Sequence, residues 1–427
     1  MADSSIANPP ASPLKSRFLM KLRNQLLALF CLLAFVAFGV FYVRLWVVQK
    51  PFGIILFVSD GMIVRHLTAA RLYEGGADHH LAIESFPHVA LVSNYARDFA
   101  VPDAAAATTA LATGVKVNHR NVGTDYEGHS LRNILELARE QGRAVGIVTT
   151  GELTAASSAA FYSHVADARD VDEIALQLTQ AKLDVVLGGG STDFQPETNG
   201  GRRKDGRDLL KEIADQGREM VWTKADLENA AAFRTNGLVG IFAPGPLAFS
   251  DEIESGSQQP SLSDMVRRAI EFLEVNRNGY VLVVDAALVS HAADGNSGER
   301  AINETVALDH AILTATKYAG DKSLLIAVGK HAIGGLSLNG FPTRQDHGVA
   351  LLGTNASGYP SLTWATGPNG PTENSLPQSK IEPAAFHMPS ALNTAEDVIA
   401  IAQGDGAQKL HGFIDNTFIF QLLRDAL

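Results

Sequence analysis

Short, mostly apolar runs recur along this chain, and they constrain its fold more than any other feature. The first is Gly53-Ile-Ile-Leu-Phe-Val-Ser-Asp60, and Ala144–Thr149, Leu183–Leu187, Tyr280–Asp285 and Leu324–Val328 share its shape. A strand that is apolar at nearly every position has no face to offer water, so it belongs inside a parallel sheet covered on both sides. Helical stretches separate these runs: Leu131–Gln141, Asp172–Ala181, Leu262–Asn276 and Arg300–Tyr318. The alternation predicts a doubly wound α/β sheet, with functional groups beyond the carboxyl ends of its strands. Asp60, Asp285 and the Lys330-His331 pair close three of those strands. The segment 356–389 is rich in Pro, Ser, Asn and Gly and reads as a surface excursion, or crown loop.

Ahead of this body lies a different kind of sequence. Residues 1–25 are polar, hold Pro9, Pro10 and Pro13, and carry Lys15, Arg17, Lys21 and Arg23. From Leu26 to Val43 there is no charge, and apolar residues resume from Leu45 to Val48 beyond Arg44. A membrane span needs roughly 17–25 apolar residues, and an arginine near its end can snorkel to the surface. Tyr42 and Trp46 stand where an interfacial aromatic belt is expected. The basic flank predicts a cytoplasmic N-terminus for residues 1–25, a signal-anchor helix over 26–48, and a periplasmic or extracellular body over 51–427. A cleaved signal peptide is the rival reading, since Ala37-Phe38-Gly39 is a weak cleavage site, but the apolar run continues past it.

Charge and cysteine content narrow the chemistry. Acidic residues outnumber Lys and Arg by 46 to 35 in a chain of 427 residues, a net charge of -11. That balance argues against a nucleic-acid partner, whose phosphates need basic side chains. Cys31 is the single cysteine and lies within the apolar span, so there is no internal disulfide and no thiolate zinc site. Any metal centre has to come from Asp, Glu, His and hydroxyl oxygens.

Seven ordered segments carry a resemblance. They are Ile54-Ile-Leu-Phe-Val-Ser-Asp-Gly-Met62 with Thr68-Ala-Ala-Arg71; Val101-Pro-Asp-Ala-Ala-Ala-Ala-Thr-Thr-Ala-Leu-Ala-Thr-Gly114; Asp184-Val-Val-Leu-Gly-Gly-Gly190; Phe242-Ala-Pro-Gly245; Val284-Asp-Ala-Ala287; His331-Ala-Ile-Gly-Gly-Leu-Ser337; and Gly412-Phe-Ile-Asp-Asn-Thr417. From Phe52 to the C-terminus the chain resembles the alkaline phosphatase family. The resemblance implies that family's α/β sandwich, with a central, mostly parallel sheet flanked by helices, here preceded by one transmembrane helix. It also implies a site built on a serine nucleophile, two zinc ions, one magnesium ion and an arginine that clamps phosphate.

Carried over residue by residue, most of that site is missing. The nucleophile position is Ala104 and the phosphate-clamp position is Ala168, with Arg169 one residue on. Asp60 matches the first metal aspartate. Ala155 stands at an Asp or His ligand position, and Ser157 replaces the threonine ligand. Asp285 replaces the magnesium glutamate. Ser290, Asp294 and Asn393 occupy positions of a zinc aspartate and two zinc histidines, and the zinc Asp-His pair has become Lys330 and His331. A methyl group cannot attack phosphorus, so the covalent step is absent at Ala104.

Lys330 is the informative replacement. Without cations, Asp60 and Asp285 would be like charges in one pocket, and an ammonium among them supplies the missing positive charge. The sequence therefore predicts an internal counter-ion at Lys330, with a lysine reaching solvent as the bland alternative. Asp60, Ser157, Asp285 and His331 are what remains of the metal site, which predicts no metal or a weakly held Mg²⁺. His291, Asp346-His347 and His387 are additional loop residues read as surface groups. Two functional readings follow. In the first, the protein is a membrane-anchored pseudoenzyme with a binding or assembly role, partnered with itself or with a related phosphatase. In the second, it is an active phosphomonoesterase or phosphodiesterase with a rearranged, zinc-dependent site. Thr108 or Ser157 would then be the nucleophile, with Lys330 and Arg169 holding phosphate.

Overall fold

Gly53–Ser59 is buried at every position, and it lies near the middle of a ten-stranded sheet. The computed structural model describes residues 13–42, 50–59, 61–231, 236–340, 352–372, 379–380 and 382–427, with side chains from residue 20. Numbered along the chain, the first eight strands are β1 (Gly53–Ser59), β2 (His88–Ser93), β3 (Ala144–Glu152), β4 (Val185–Gly189), β5 (Glu219–Val221), β6 (Leu238–Ile241), β7 (Tyr280–Ala286) and β8 (Leu324–Gly329). The rest are β9 (Ala332–Ile333), β10 (Ser337–Leu338), β11 (Leu362–Gly367), β12 (Ala384–His387), β13 (Asn393–Thr394), β14 (Val398–Gln403) and β15 (Gly412–Asp415). The large sheet runs β15-β2-β14-β8-β1-β7-β3-β4-β6-β5. Its pairings are parallel except where β14 meets β8 and β2. Two apolar cores cover its two faces, one holding Ile54, Leu56 and Val58 and the other Ile55 and Phe57. The strand of continuous apolar sequence thus feeds alternate side chains to opposite sides, as period-2 geometry requires.

The α/β architecture predicted from the alternation is what the body adopts, with three local differences. β4 starts at Val185 rather than Leu183, because Asp184 turns its carboxylate onto the Val145 amide (2.8 Å) ahead of the ladder. β2, β5, β6, β14 and β15 extend the sheet beyond the five runs read from the sequence, although β6 and β14 are themselves buried apolar runs. β2 alternates exposed and buried residues, the pattern of a strand covered on one face. The segment 356–389 is not all loop, since β11 and β12 pair with each other and β11 pairs with β10.

The first unit of the chain, residues 1–50, contains helix α1 (Pro13–Tyr42). Its stretch Met20–Tyr42 is long and apolar enough to cross a membrane, about 34 Å at 1.5 Å per residue. Cys31 lies exposed on it, and Arg44 and Trp46 lie outside the described residues.

Helices needed below are α2 (Val64–Gly75), α3 (Ala104–Thr113), α4 (Ile134–Glu140), α5 (Ala156–Ala159) and α6 (Val171–Gln180). The alanines of α3 favour a helix. Asp103 caps its start by accepting from the Ala106 amide (2.8 Å), and Gly114 ends it in the left-handed conformation, φ 74°.

Candidate functional site

Parallel strands put their carboxyl ends on one edge of the sheet, and β1, β7, β3 and β8 are neighbours there. Asp285, in the last turnings of β7, is flanked across the ladder by Val58 of β1 and Thr149 of β3. β8 ends at Gly329, where a Cβ would stand 2.4 Å from the Met62 carbonyl, so only glycine lets the chain close against β1. The next residue, Lys330, donates its backbone N–H to the Ser59 carbonyl (2.9 Å). That anchor aims its side chain inward.

The Lys330 ammonium donates to Ser157 Oγ at 2.6 Å and to Asp285 Oδ1 at 2.7 Å. Asp285 Oδ2 accepts from Thr149 Oγ1 (3.0 Å) and Ser158 Oγ (3.4 Å). Lys330 and Asp285 are each 1% exposed and Ser157 4%, so this is an ion pair inside the protein. The Lys330 ammonium thus lies beside the Asp285 carboxylate. A lysine reaching solvent is excluded by its burial.

The remaining predicted residues divide. His331 is buried, and its carbonyl accepts from the Gly61 amide (2.7 Å). Asp60 lies outside the described residues, as do Asp346 and His347. Ser290 Oγ donates to the Ala287 carbonyl (2.8 Å), Asp294 Oδ1 accepts from Ser390 Oγ (3.0 Å), and Asn393 Nδ2 donates to the Pro102 carbonyl (2.9 Å). Each of the three holds a different neighbour. Ala155 precedes α5 without a side-chain cap. Arg169 spends its guanidinium on Asp167 at the surface (Nε–Oδ1 3.0 Å), so it does not serve as a clamp in this arrangement. Thr108 is wholly buried within α3, His387 is exposed on β12, and His291 is partly buried in the helix Leu288–Asp294.

Two residues escaped the sequence reading. Arg120 sits between the nucleophile and clamp positions: its N–H donates to Asp103 Oδ2 (2.7 Å) and its carbonyl accepts from Ala168 N (2.8 Å). It holds a positive φ of 66°, which sequence does not announce in an arginine. His66, on α2, is fully buried, and among the described residues neither ring nitrogen has a hydrogen bond. Its Nε2 lies 3.6 Å from the place a Cβ on Gly61 would take. Burial, then the neighbouring Arg65 charge, pushes its pKa down to about 4, so the ring is neutral.

Comparison with known proteins agrees with this arrangement of strands. The sequence profile of the family described as alkaline phosphatase matches residues 53–427. The alkaline phosphatase of Gadus morhua is 31% identical, over 87% of this chain and 90% of its own length. Among solved structures, the Thermus thermophilus alkaline phosphatase is 26% identical with a TM-score of 0.72, covering 89% of this chain and 92% of that one. The alkaline phosphatase of the Antarctic bacterium TAB5 shares the fold at 21% identity, with a TM-score of 0.70 over 88% of this chain and 98% of its own. With its body matched end to end and its strands in the family's arrangement, this chain belongs to the alkaline phosphatase family.

Proposed function

We propose that this protein is a membrane-anchored pseudoenzyme of the family, one that keeps the fold and has exchanged hydrolysis for a binding or assembly role. The observation that carries the reading is the Lys330 ammonium between Ser157 Oγ and Asp285 Oδ1. A hard cation needs oxygen ligands with lone pairs turned toward it. Here the oxygens that would face magnesium face an ammonium instead, so the residues present do not fit that ion. Zinc wants about three good nitrogen, sulfur or carboxylate ligands. Ser290, Asp294 and Asn393 offer one carboxylate, already bonded to Ser390, and do not fit zinc either. With Ala104 at the nucleophile position, hydrolysis through a covalent intermediate lacks its attacking group there.

The second reading also has an observation in its favour, because Ser157 and Lys330 stand at serine–base distance. The 2.7 Å contact to Asp285 argues against it, since a lysine paired with a carboxylate stays protonated and cannot accept the serine's proton. Mass-spectrometric metal content and phosphomonoester turnover, measured together on the full-length protein in detergent, separate the two. The expected result is background turnover and no stoichiometric zinc with Zn²⁺ and Mg²⁺ supplied. Zinc near one ion per chain with turnover lost in Asp60→Ala would establish the enzyme.

For topology, the reading is the one the basic flank implies: residues 1–25 in the cytoplasm and the body on the other side. For partners, it commits to a second copy of this chain or a related phosphatase. Val89 and Leu91 of β2 and Phe413 of β15 support this, being exposed apolar side chains on one end of the sheet, with Phe413 directly opposite Leu91.

A further inference from the structure

A cleft of about 550 Å³ opens far from Lys330. Asp184, on its wall, immediately precedes β4 and accepts from the Val145 amide at the start of β3. The cleft thus lies at the amino ends of these strands, whereas Lys330 lies past the carboxyl ends. Val145 and Thr149 alone, four residues apart along β3, are separated by about 13 Å.

The wall carries Arg139, Lys182, Arg207 and Arg218 against only two carboxylates, Asp184 and Glu212. In a chain of net charge -11, such a concentration of cations stands out. Arg207 is spent on Glu212 in a two-pronged contact (2.9 and 2.6 Å). Arg218 is buried and held in place by donating to the Leu183 carbonyl. Burial lowers its pKa to about 10, with Asp184 acting in the opposite direction, so it remains a cation at neutral pH. Arg139 and Lys182 are exposed on the rim, and neither side chain donates a hydrogen bond among the described residues. The volume matches a small-molecule site, and guanidinium groups match the oxygens of a phosphate.

We propose that this cleft is an anion site for a phosphate-bearing small molecule, in which Arg139 and Lys182 on the rim and the buried Arg218 hold the phosphate oxygens. The site performs no chemistry and is independent of the Lys330 cluster. A free phosphorylated compound and a phosphate headgroup of lipid share the chemistry.

Isothermal titration of the full-length protein in detergent with inorganic pyrophosphate, and separately with dihexanoyl phosphatidic acid below its micelle concentration, tests the proposal. Saturable binding that weakens at least ten-fold in Arg139→Ala/Lys182→Ala, and weakens with added salt, is the expected result. Tighter pyrophosphate binding assigns a free ligand, and tighter phosphatidic acid binding assigns a headgroup. Both substituted residues are exposed, so the fold is retained, and circular dichroism melting checks this. Arg139→Glu/Lys182→Glu is the second variant and abolishes binding. Absence of saturable binding to either probe, or binding that survives both double variants, overturns the proposal.

Discussion

Lys330 and Asp285 show how much one side chain decides here. Both are desolvated, so removing Lys330 leaves the Asp285 carboxylate buried without its cation. Lys330→Met should lower unfolding free energy by about 3–5 kcal/mol, while the double change Lys330→Met/Asp285→Leu should recover most of that, because an apolar pair of matching volume escapes the desolvation cost. Chemical denaturation of the two variants checks the contrast. Lys330→Asp should restore the family's cluster of carboxylates and make thermal stability depend on added divalent cation, which melting with and without Mg²⁺ or Zn²⁺ would reveal. His66 gives a pH dependence of known sign. Its folded pKa of about 4 lies below the ordinary histidine value of 6.5. The unfolded chain therefore binds a proton that the folded chain refuses, and stability is lost as pH falls from 6.5 toward 4, by up to about 3 kcal/mol. His66→Leu should flatten that part of the pH–stability curve. Lys330 was legible in the sequence because charge neutrality in a buried site is a strong constraint. His66 and Arg120 were not, since a histidine on a mixed helix and a basic residue in a loop look like surface groups until packing and φ are known.

Among the elements, α4 and the loop before α6 are joined through His164. Its Nδ1 faces the Gly123 carbonyl (2.8 Å) and its Nε2 faces Glu136 (2.9 Å). Both partners accept, so both ring nitrogens donate when the ring is an imidazolium, and the Glu136 hydrogen bond raises its pKa. The sign is opposite to that of His66: this contribution is complete below pH 6.5 and is lost as pH rises through the raised folded value. In His164→Gln, the stability deficit should shrink steadily toward alkaline pH, as urea titrations at several pH values would show. Asp103→Ala should cost about 1–2 kcal/mol, since it uncaps α3 and releases the Arg120 amide together. The inner strands were readable because they are apolar throughout. β2, β11 and β12 were not, because half-covered strands alternate weakly or sit among turn residues, where composition suggests a loop.

Across the molecule, fold and chemistry are written in different amounts of sequence. More than a hundred buried apolar positions specify the sheet and its covering helices, whereas a few polar side chains decide the chemistry. That is why the resemblance identified the family, and why family membership leaves the activity to be measured. The apolar helix α1 was legible from its length alone, but its orientation rests on the flanking charges. If the N-terminal tail is cytoplasmic, protease added outside intact cells should spare an epitope placed in residues 1–12 while digesting one at the C-terminus.

The buried ammonium also changes what the body requires of its surroundings. A zinc or magnesium ion is acquired after synthesis, can be withheld by starvation and can be removed by a chelator. Lys330 is delivered by translation and held by a covalent tether, so its local concentration does not vary with supply. On the proposed reading, a protein assembled around such a charge needs no loading step. Its melting temperature in EDTA should equal that in zinc-replete buffer.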